Sequence, residues 1–334
     1  MDVKELKPSC DIKYTKLIQR FVKDYNLPIN IFDEELFSYY MTTYKNFPTD
    51  TWFKLVEKIK NEYGGNVEAW LDYCANVRDT AINTLLEHPV YKVFNQTSLE
   101  QYAIKAPCGH SSCFTEACDG SKFISIDLRK ANFQALKAIG VIKDNTYEDF
   151  IKSMGGDDYI ADSKYLRQVI FGKLNPSRQI TVERFLTYKV YENLPKIGFP
   201  WWNEVYELFS FDNDEIIYKL RPGMDPIKEP FVGSMKDLCN SIESMTKAMI
   251  GIDTRVEYYE VNDLNIRNYN GDKVDAFERH NLVTDERKLK KASTTFYPQI
   301  YKLWTGGKIN VKDKLFFCEN QICTFKYSLK RKKK

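Results

Sequence analysis

Residues 123–136, FISIDLRKANFQAL, tie the chain most closely to one kind of fold. Phe123, Ile124 and Ile126 are apolar and strand-favouring, with Ser125 among them, so the stretch opens as a buried strand. Asp127 falls where that strand stops, and Phe133, Leu136, Ala138 and Ile139 continue in a helical pattern. A carboxylate at the carboxyl end of a buried strand is costly unless something positive meets it, and a metal ion is one such partner. Asp is also a favoured N-cap, so Asp127 serves equally well as the cap of the helix behind it. The segment alone leaves both roles open.

The rest of the chain sets the context. Residues 1 to about 100 pattern as four helices: 14–25, 32–44, one from Thr49-Asp50 to the Gly64-Gly65 break, and 66–87 before Pro89. After the junction, a short helix near 145–159 ends in Gly155-Gly156-Asp157-Asp158, which reads as a turn or as an acidic metal site. Asp162-Ser163 caps a helix from Lys164 to about Leu174, stopped by Pro176. Helices are expected over 180–191 and 201–208, then a hairpin over 208–220 with Asp212, Asn213, Asp214 and Glu215 at its tip. Three acids there repel one another unless a cation or solvent intervenes. A Met-bearing helix (234–249), a strand (254–261), a polar stretch (262–291), a helix (296–304) and a hairpin (314–328) complete the chain. The expected class is α+β: a helical N-terminal region over 1–104, a core over 105–261 with an antiparallel sheet and packed helices, and a C-terminal helix and hairpin with a basic tail over 262–334.

Composition narrows the function. With 22 Tyr and 21 Phe against 15 Gly, the chain is not a disordered or low-complexity one. Its net charge is +3, and the last five residues, Lys330 to Lys334, are all basic, which leaves −2 for everything before them. A nucleic-acid binder is usually more basic, so a phosphate-binding surface has to be a local patch. The tail itself is either a solvated end or a nucleic-acid or nuclear-import signal, so a nuclear location stands beside the cytoplasmic one. The first residues are charged and lack the apolar run of a signal peptide, and no segment is long enough to span a membrane. Eight cysteines in that setting read as reduced thiols of a cytoplasmic protein. Three scattered histidines, no serine elbow and no phosphate-binding glycine loop argue against the corresponding hydrolases and nucleotide folds.

Two further clusters carry chemistry. Cys108, His110, Cys113 and Cys118 lie within eleven positions, and thiolate with imidazole suits a structural Zn²⁺, although the C-x-H-x2-C-x4-C spacing fits no familiar finger and a loop of unpaired thiols is the alternative. On the helix after Ser163, Lys164 and Arg167 lie one turn apart, with Lys173 behind them and Tyr165, Val169 and Phe171 supplying apolar surface. Such a helix is able to hold a triphosphate and stack a base, or it is an amphipathic surface helix.

Three segments together resemble the palm-domain nucleic-acid polymerases. Ile126-Asp127-Leu128 followed by Ala131-Asn132-Phe133 resembles motif A of reverse transcriptases. Arg167-x3-Phe171-Gly172 is similar to the fingers helix of family A polymerases, with Arg in place of the usual Lys. Asn213-Asp214-Glu215-Ile216-Ile217 resembles their His-Asp-Glu motif C, with Asn in the His place. The likeness covers roughly residues 120–221, and its motifs come from two families. It implies a template-directed nucleotidyltransferase with a palm-like sheet, working on nucleic-acid primer and template with nucleoside triphosphates. Two-metal Mg²⁺ (or Mn²⁺) chemistry follows from it, with Asp127 and Asp214 as ligands and Glu215 or Asp212 as helper. It implies also that Lys164, Arg167 and Lys173 hold phosphate, Phe171 stacks on the incoming base, and Asn132 lies under the sugar. A DNA-replication role would follow. The contrasting expectation is a non-catalytic structural or nucleic-acid-binding protein, a degenerate palm or a zinc-stapled module. Both turn on whether Asp127 and Asp214 meet on adjacent strands.

Overall fold

The computed structural model describes residues 14–29, 32–196, 199, 201–224, 233–268, 270–310, 313, 315–318, 321–324 and 330–331. In chain order the helices are α1 (Tyr14–Asp24), α2 (Glu34–Thr43), α3 (Thr49–Glu62), α4 (Val67–Glu87) and α5 (Pro89–Gln96). Then come β1 (Ser121–Leu128), α6 (Ala131–Ala138), α7 (Tyr147–Ser153), α8 (Asp158–Asp162), α9 (Lys164–Gly172) and α10 (Pro176–Asn193). The short α11 (Trp202–Val205) leads into β2 (Tyr206–Phe211) and β3 (Glu215–Leu220), followed by α12 (Met235–Ile250) and β4 (Thr254–Asp263). The chain closes with β5 (Ile266–Arg267), β6 (Lys273–Val274), β7 (Phe277–Asn281), β8 (Arg287–Lys290), α13 (Tyr297–Trp304), β9 (Leu315–Cys318), β10 (Gln321–Thr324) and β11 (Lys330–Arg331). The class is α+β, as expected from the sequence.

The chain forms two compact units that are not consecutive in sequence: residues 1–92 with 143–174, and residues 93–142 with 175–334. The expected boundaries at 104 and 261 do not coincide with these. α9 packs on α4 and α1, which draws 143–174 into the helical unit. β7 and β8 continue the sheet past β4, which joins the C-terminal third to the core.

The helical unit is built on an aromatic interior. Phe21, Phe37 and Trp52 meet edge to face with ring centroids 4.7–6.3 Å apart, and Trp70 is fully buried. Ser163 accepts from Leu166 N–H, as the sequence suggested; Asn66 likewise accepts from Ala69 N–H, and Thr146 with Asp149 forms a reciprocal capping box. At its centre Asp24, 1% exposed, accepts hydrogen bonds from Arg20 Nε (2.9 Å), Tyr159 Oη (2.8 Å) and Ser163 Oγ (2.6 Å). Asp157 and Asp158 are used structurally: Asp157 caps α8 and pairs with Lys58, and Asp158 pairs with Lys152 at 2.9 Å.

The second unit holds a six-stranded antiparallel sheet of order β2-β3-β1-β4-β7-β8. The path β1, helices, β2–β3 hairpin, helix, β4 is the split βαβ arrangement, with two long connections crossing one face. Ile124, Ile126 and Leu128 of β1 are buried together with Ile216 and Tyr218 of β3 on one side of the pleat. α12 packs along β4, and α10 packs on α6 and touches β3. On the opposite face, Phe123, Ile217, Tyr259, Val261 and Phe277 form an apolar cluster with Cys113 and Cys118. Residues 201–208, expected to be one helix, are α11 followed by a strand: Tyr206 and Leu208 pair with Leu220 and Tyr218 of β3, and after a bulge Ser210 and Phe211 pair with Ile217 and Ile216. The stretch 262–291, featureless in the sequence, contributes β5 to β8.

Candidate active site

Alternation along β1 puts Phe123, Ser125 and Asp127 on the face away from the helices. The register sets Asp127 opposite Glu215 on β3 and opposite Arg255 on β4. The hairpin tip is bonded to the end of β1: Leu128 N–H donates to the Asp214 carbonyl at 2.8 Å. Asp127, Asp214 and Glu215 therefore come together on adjacent strands although the two aspartates are 87 positions apart in the chain. Asp127 does not cap α6. The cap position is Lys130, held in the left-handed region at φ 52°, an uncommon conformation for a side chain of this kind and one that clusters at functional sites.

Surrounding elements fix this junction. Gln134 donates to the Arg129 and Asp253 carbonyls (2.7 and 2.6 Å) and accepts from Asp253 N–H (2.8 Å), which locks the start of α6 to the start of β4. From α10, Thr187 Oγ1 donates to the Asn213 carbonyl at 2.8 Å and so anchors the hairpin tip. One turn earlier Glu183, 4% exposed, accepts from Asn132 Nδ2 at 2.6 Å.

The electrostatics are those of crowded acids. Burial pushes the Asp127 carboxyl up to about 6; Arg255, donating to Oδ2 at 3.0 Å, opposes the shift, and Glu215, Asp214 and Glu257 add to it. Burial likewise raises Glu215, against the pull of Arg279 and a hydrogen bond from Ser125. It raises Glu183 to about 7, partly offset by Asn132 and reinforced by Asp214. A divalent cation bound among these acids would relieve this repulsion. The donors are all hard oxygens, which suits Mg²⁺ or Mn²⁺, and a catalytic Mg²⁺ needs only one or two carboxylates beside substrate phosphate and water. Among the described residues no three His, Cys, Asp or Glu side chains converge as a closed ligand set.

Glu183 carries a pH prediction. It holds its proton more tightly in the folded chain (about 7) than at its ordinary 4.5. The stability it contributes is therefore complete below about pH 4.5 and is lost as pH rises through 7, on the order of 3 kcal/mol. Melting temperature in EDTA should fall between pH 5 and 8, and Glu183→Gln should flatten that fall. An unchanged slope in the variant would show that Glu183 is not the group titrating.

Lys164, Arg167, Phe171 and Lys173 belong to the helical unit. Lys164 and Lys173 are exposed, and Arg167 lies over the Tyr147 ring, 6.0 Å from its centroid. Phe171 is corrected outright: it is 1% exposed and packs on Tyr147, so it is core and has no face for a base. Asp212 is drawn to His110 (3.3 Å from Nδ1) and is not among the groups acting on Asp127. The zinc set is not assembled. Cys113 bonds the Tyr259 hydroxyl at 3.6 Å, Cys118 shares its apolar cluster, and His110 is exposed. The backbone of the 315–324 hairpin is as expected, whereas Lys332 to Lys334 and residues 1–13 lie outside the described residues.

Sequence reasoning missed Glu183, Arg255, Ser125 and Arg279. The signals were present: Glu183 and Thr187 interrupt the Val182, Leu186, Val190 stripe, and Arg255 and Glu257 alternate in phase with Tyr259. Among the described residues no helix is long and apolar enough to cross a membrane. No family model, curated protein or solved structure matches the chain.

Proposed function

We propose that this protein is a palm-type nucleotidyltransferase that joins nucleoside triphosphates to a nucleic-acid primer by two-metal phosphoryl transfer. The observation that carries the reading is the register: Asp127 is paired against Glu215, with Asp214 bonded through its backbone to the end of the same strand. Carboxylates brought together where one strand pair meets its hairpin tip are what a pair of divalent ions about 4 Å apart requires. The ions, when bound, would activate the attacking hydroxyl and neutralise the leaving pyrophosphate. The chain's own part is positional: Asp127 and Asp214 hold charge in place, Thr187 fixes the hairpin, and Glu183 orients the Asn132 amide beside the site. Arg255 has to release Asp127 or share it, and it is then free to meet phosphate.

Primer extension with Mg²⁺ or Mn²⁺ on DNA and RNA templates tests the reading. Incorporation that depends on the divalent ion supports it. A second reading, a non-catalytic nucleic-acid-binding protein, is favoured by the Arg255–Asp127 ion pair, which already neutralises the central carboxylate. Binding without incorporation on any template would establish that alternative.

A further inference from the structure

The sheet extends two strands beyond β4, and this extension carries an unusual arrangement of charge. In the β7/β8 register Arg279 stands directly opposite Lys288. Like charges directly opposite across strands are destabilising. Lys290, two residues along from Lys288, shares its face, and that face is the one bearing Asp127, Glu215, Arg255 and Glu257. Arg279 confirms the facing: it bonds Glu257 at 2.5 Å and lies over the Tyr259 ring at 3.8 Å. Three of the cations on this face are balanced locally, Arg255 by Asp127 at 3.0 Å, Arg279 by Glu257 and Lys288 by Glu286 at 2.8 Å. Among the described residues no carboxylate pairs with Lys290. Burial, with Arg279 and Lys288 close by, pulls its ammonium below the ordinary lysine range, while Glu257 and Glu215 pull the other way. A cation held in that position gains most from an arriving anion.

We infer that Arg255, Arg279, Lys288 and Lys290 form a track across the sheet for the phosphodiester backbone of a single nucleic-acid strand leading to the acid pair. The inference rests on the proposed function for the kind of ligand and on the sheet register for the residues. The span decides between a strand and a lone triphosphate. On the register Arg279 stands opposite Val261, six residues along β4 from Arg255, so the track runs about 20 Å along the strand as well as about 10 Å across two interstrand steps. One strand of a duplex carries a phosphate about every 3.4 Å of axis, so the track meets several of them, more than a lone triphosphate offers. Arg255 lies at the catalytic end, and Lys288 and Lys290 at the far end on the edge strand.

The test uses the full chain in EDTA, without triphosphates, and measures fluorescence anisotropy of labelled twelve-residue oligo(dT) and oligo(U) between 50 and 200 mM salt. Lys288→Gln/Lys290→Gln should weaken binding about tenfold at 50 mM and lower the slope of log K against log salt by about 1.4, two cations at about 0.7 each. Lys288→Gln alone, at a side chain 46% exposed, guards against a folding defect and should give about half that change in slope. Wild-type affinity and slope in both variants would overturn the track. Because no catalysis is involved, a chain that binds through these lysines but never extends a primer fails the nucleotidyltransferase reading alone. A chain that extends primers with lysine variants that bind as wild type fails the track alone.

Discussion

Asp127→Asn should lower nucleotide incorporation by at least about a thousandfold while leaving the melting temperature at pH 8 unchanged or raised. The two halves of that result have one cause. Asp127 is held among Asp214, Glu215 and Glu257, with its carboxyl pushed up to about 6 chiefly by burial. Its stabilising contribution is present below its unfolded pKa near 4 and is lost as pH rises through 6, so at pH 8 the charge is a burden on the fold. The amide removes that burden at equal size and gives up only the charge of its bond to Arg255. On the proposed nucleotidyltransferase reading the same charge holds a divalent ion against a triphosphate, and removing one such preorganised group costs on the order of a hundred- to a thousandfold, more where a metal site depends on it. Asp214→Asn should behave alike. Single-turnover primer extension and thermal melts on the same samples check both halves. A structural ion pair with Arg255 would give the reverse: a lower melting temperature and no activity to lose.

The parts of this protein legible in the sequence were those written locally. β1, the β2–β3 hairpin and the capped helices announce themselves by alternation, by a polar tip, and by Ser, Asn and Thr placed ahead of apolar stripes. The meeting of Asp127 with Asp214 was legible as well, because both fall at strand ends and antiparallel pairing brings such ends together. Long-range consequences were not. Nothing in 143–174 says that α9 packs on α1 and α4, so its folding with the N-terminal helices is not legible in the sequence. Phe171 looks the same in sequence whether its ring meets a base or Tyr147. The cysteines are ambiguous in sequence for a related reason: a thiol is both a soft ligand and a small apolar group, and Cys113 and Cys118 lie in an apolar cluster. β7 and β8 are rich in charge and so lacked a buried-strand signature, yet pairing with β4 puts Arg279 beside the site.

Asp24→Ala should destabilise the helical unit by about 3–5 kcal/mol, the largest stability effect expected from any single change here. Asp24 is buried, and burial is the dominant influence on it, raising its carboxyl against the opposing pull of Arg20, Ser163 and Tyr159. The ionised group is tolerated because those donors surround it at 2.6–2.9 Å. Removing it leaves the Arg20 guanidinium, only 14% exposed, without its carboxylate, and leaves two hydroxyls with no acceptor. Breaking one side of a buried pair costs about 3–5 kcal/mol because the remaining charge stays desolvated. Ser163 has a second duty as the cap of α9, accepting from Leu166 N–H at 3.0 Å, so the loss reaches the helix that carries Lys164 and Arg167. Asp24→Asn, which keeps an acceptor for the hydroxyls, should recover part of the loss. Hydrogen exchange locates the damage: protection should fall across 14–92 and 143–174 while β1, β3 and β4 keep theirs. Equal loss in the sheet would show that the two units unfold as one, and a fall under 1 kcal/mol in denaturant would show that Asp24 does not hold the helices together.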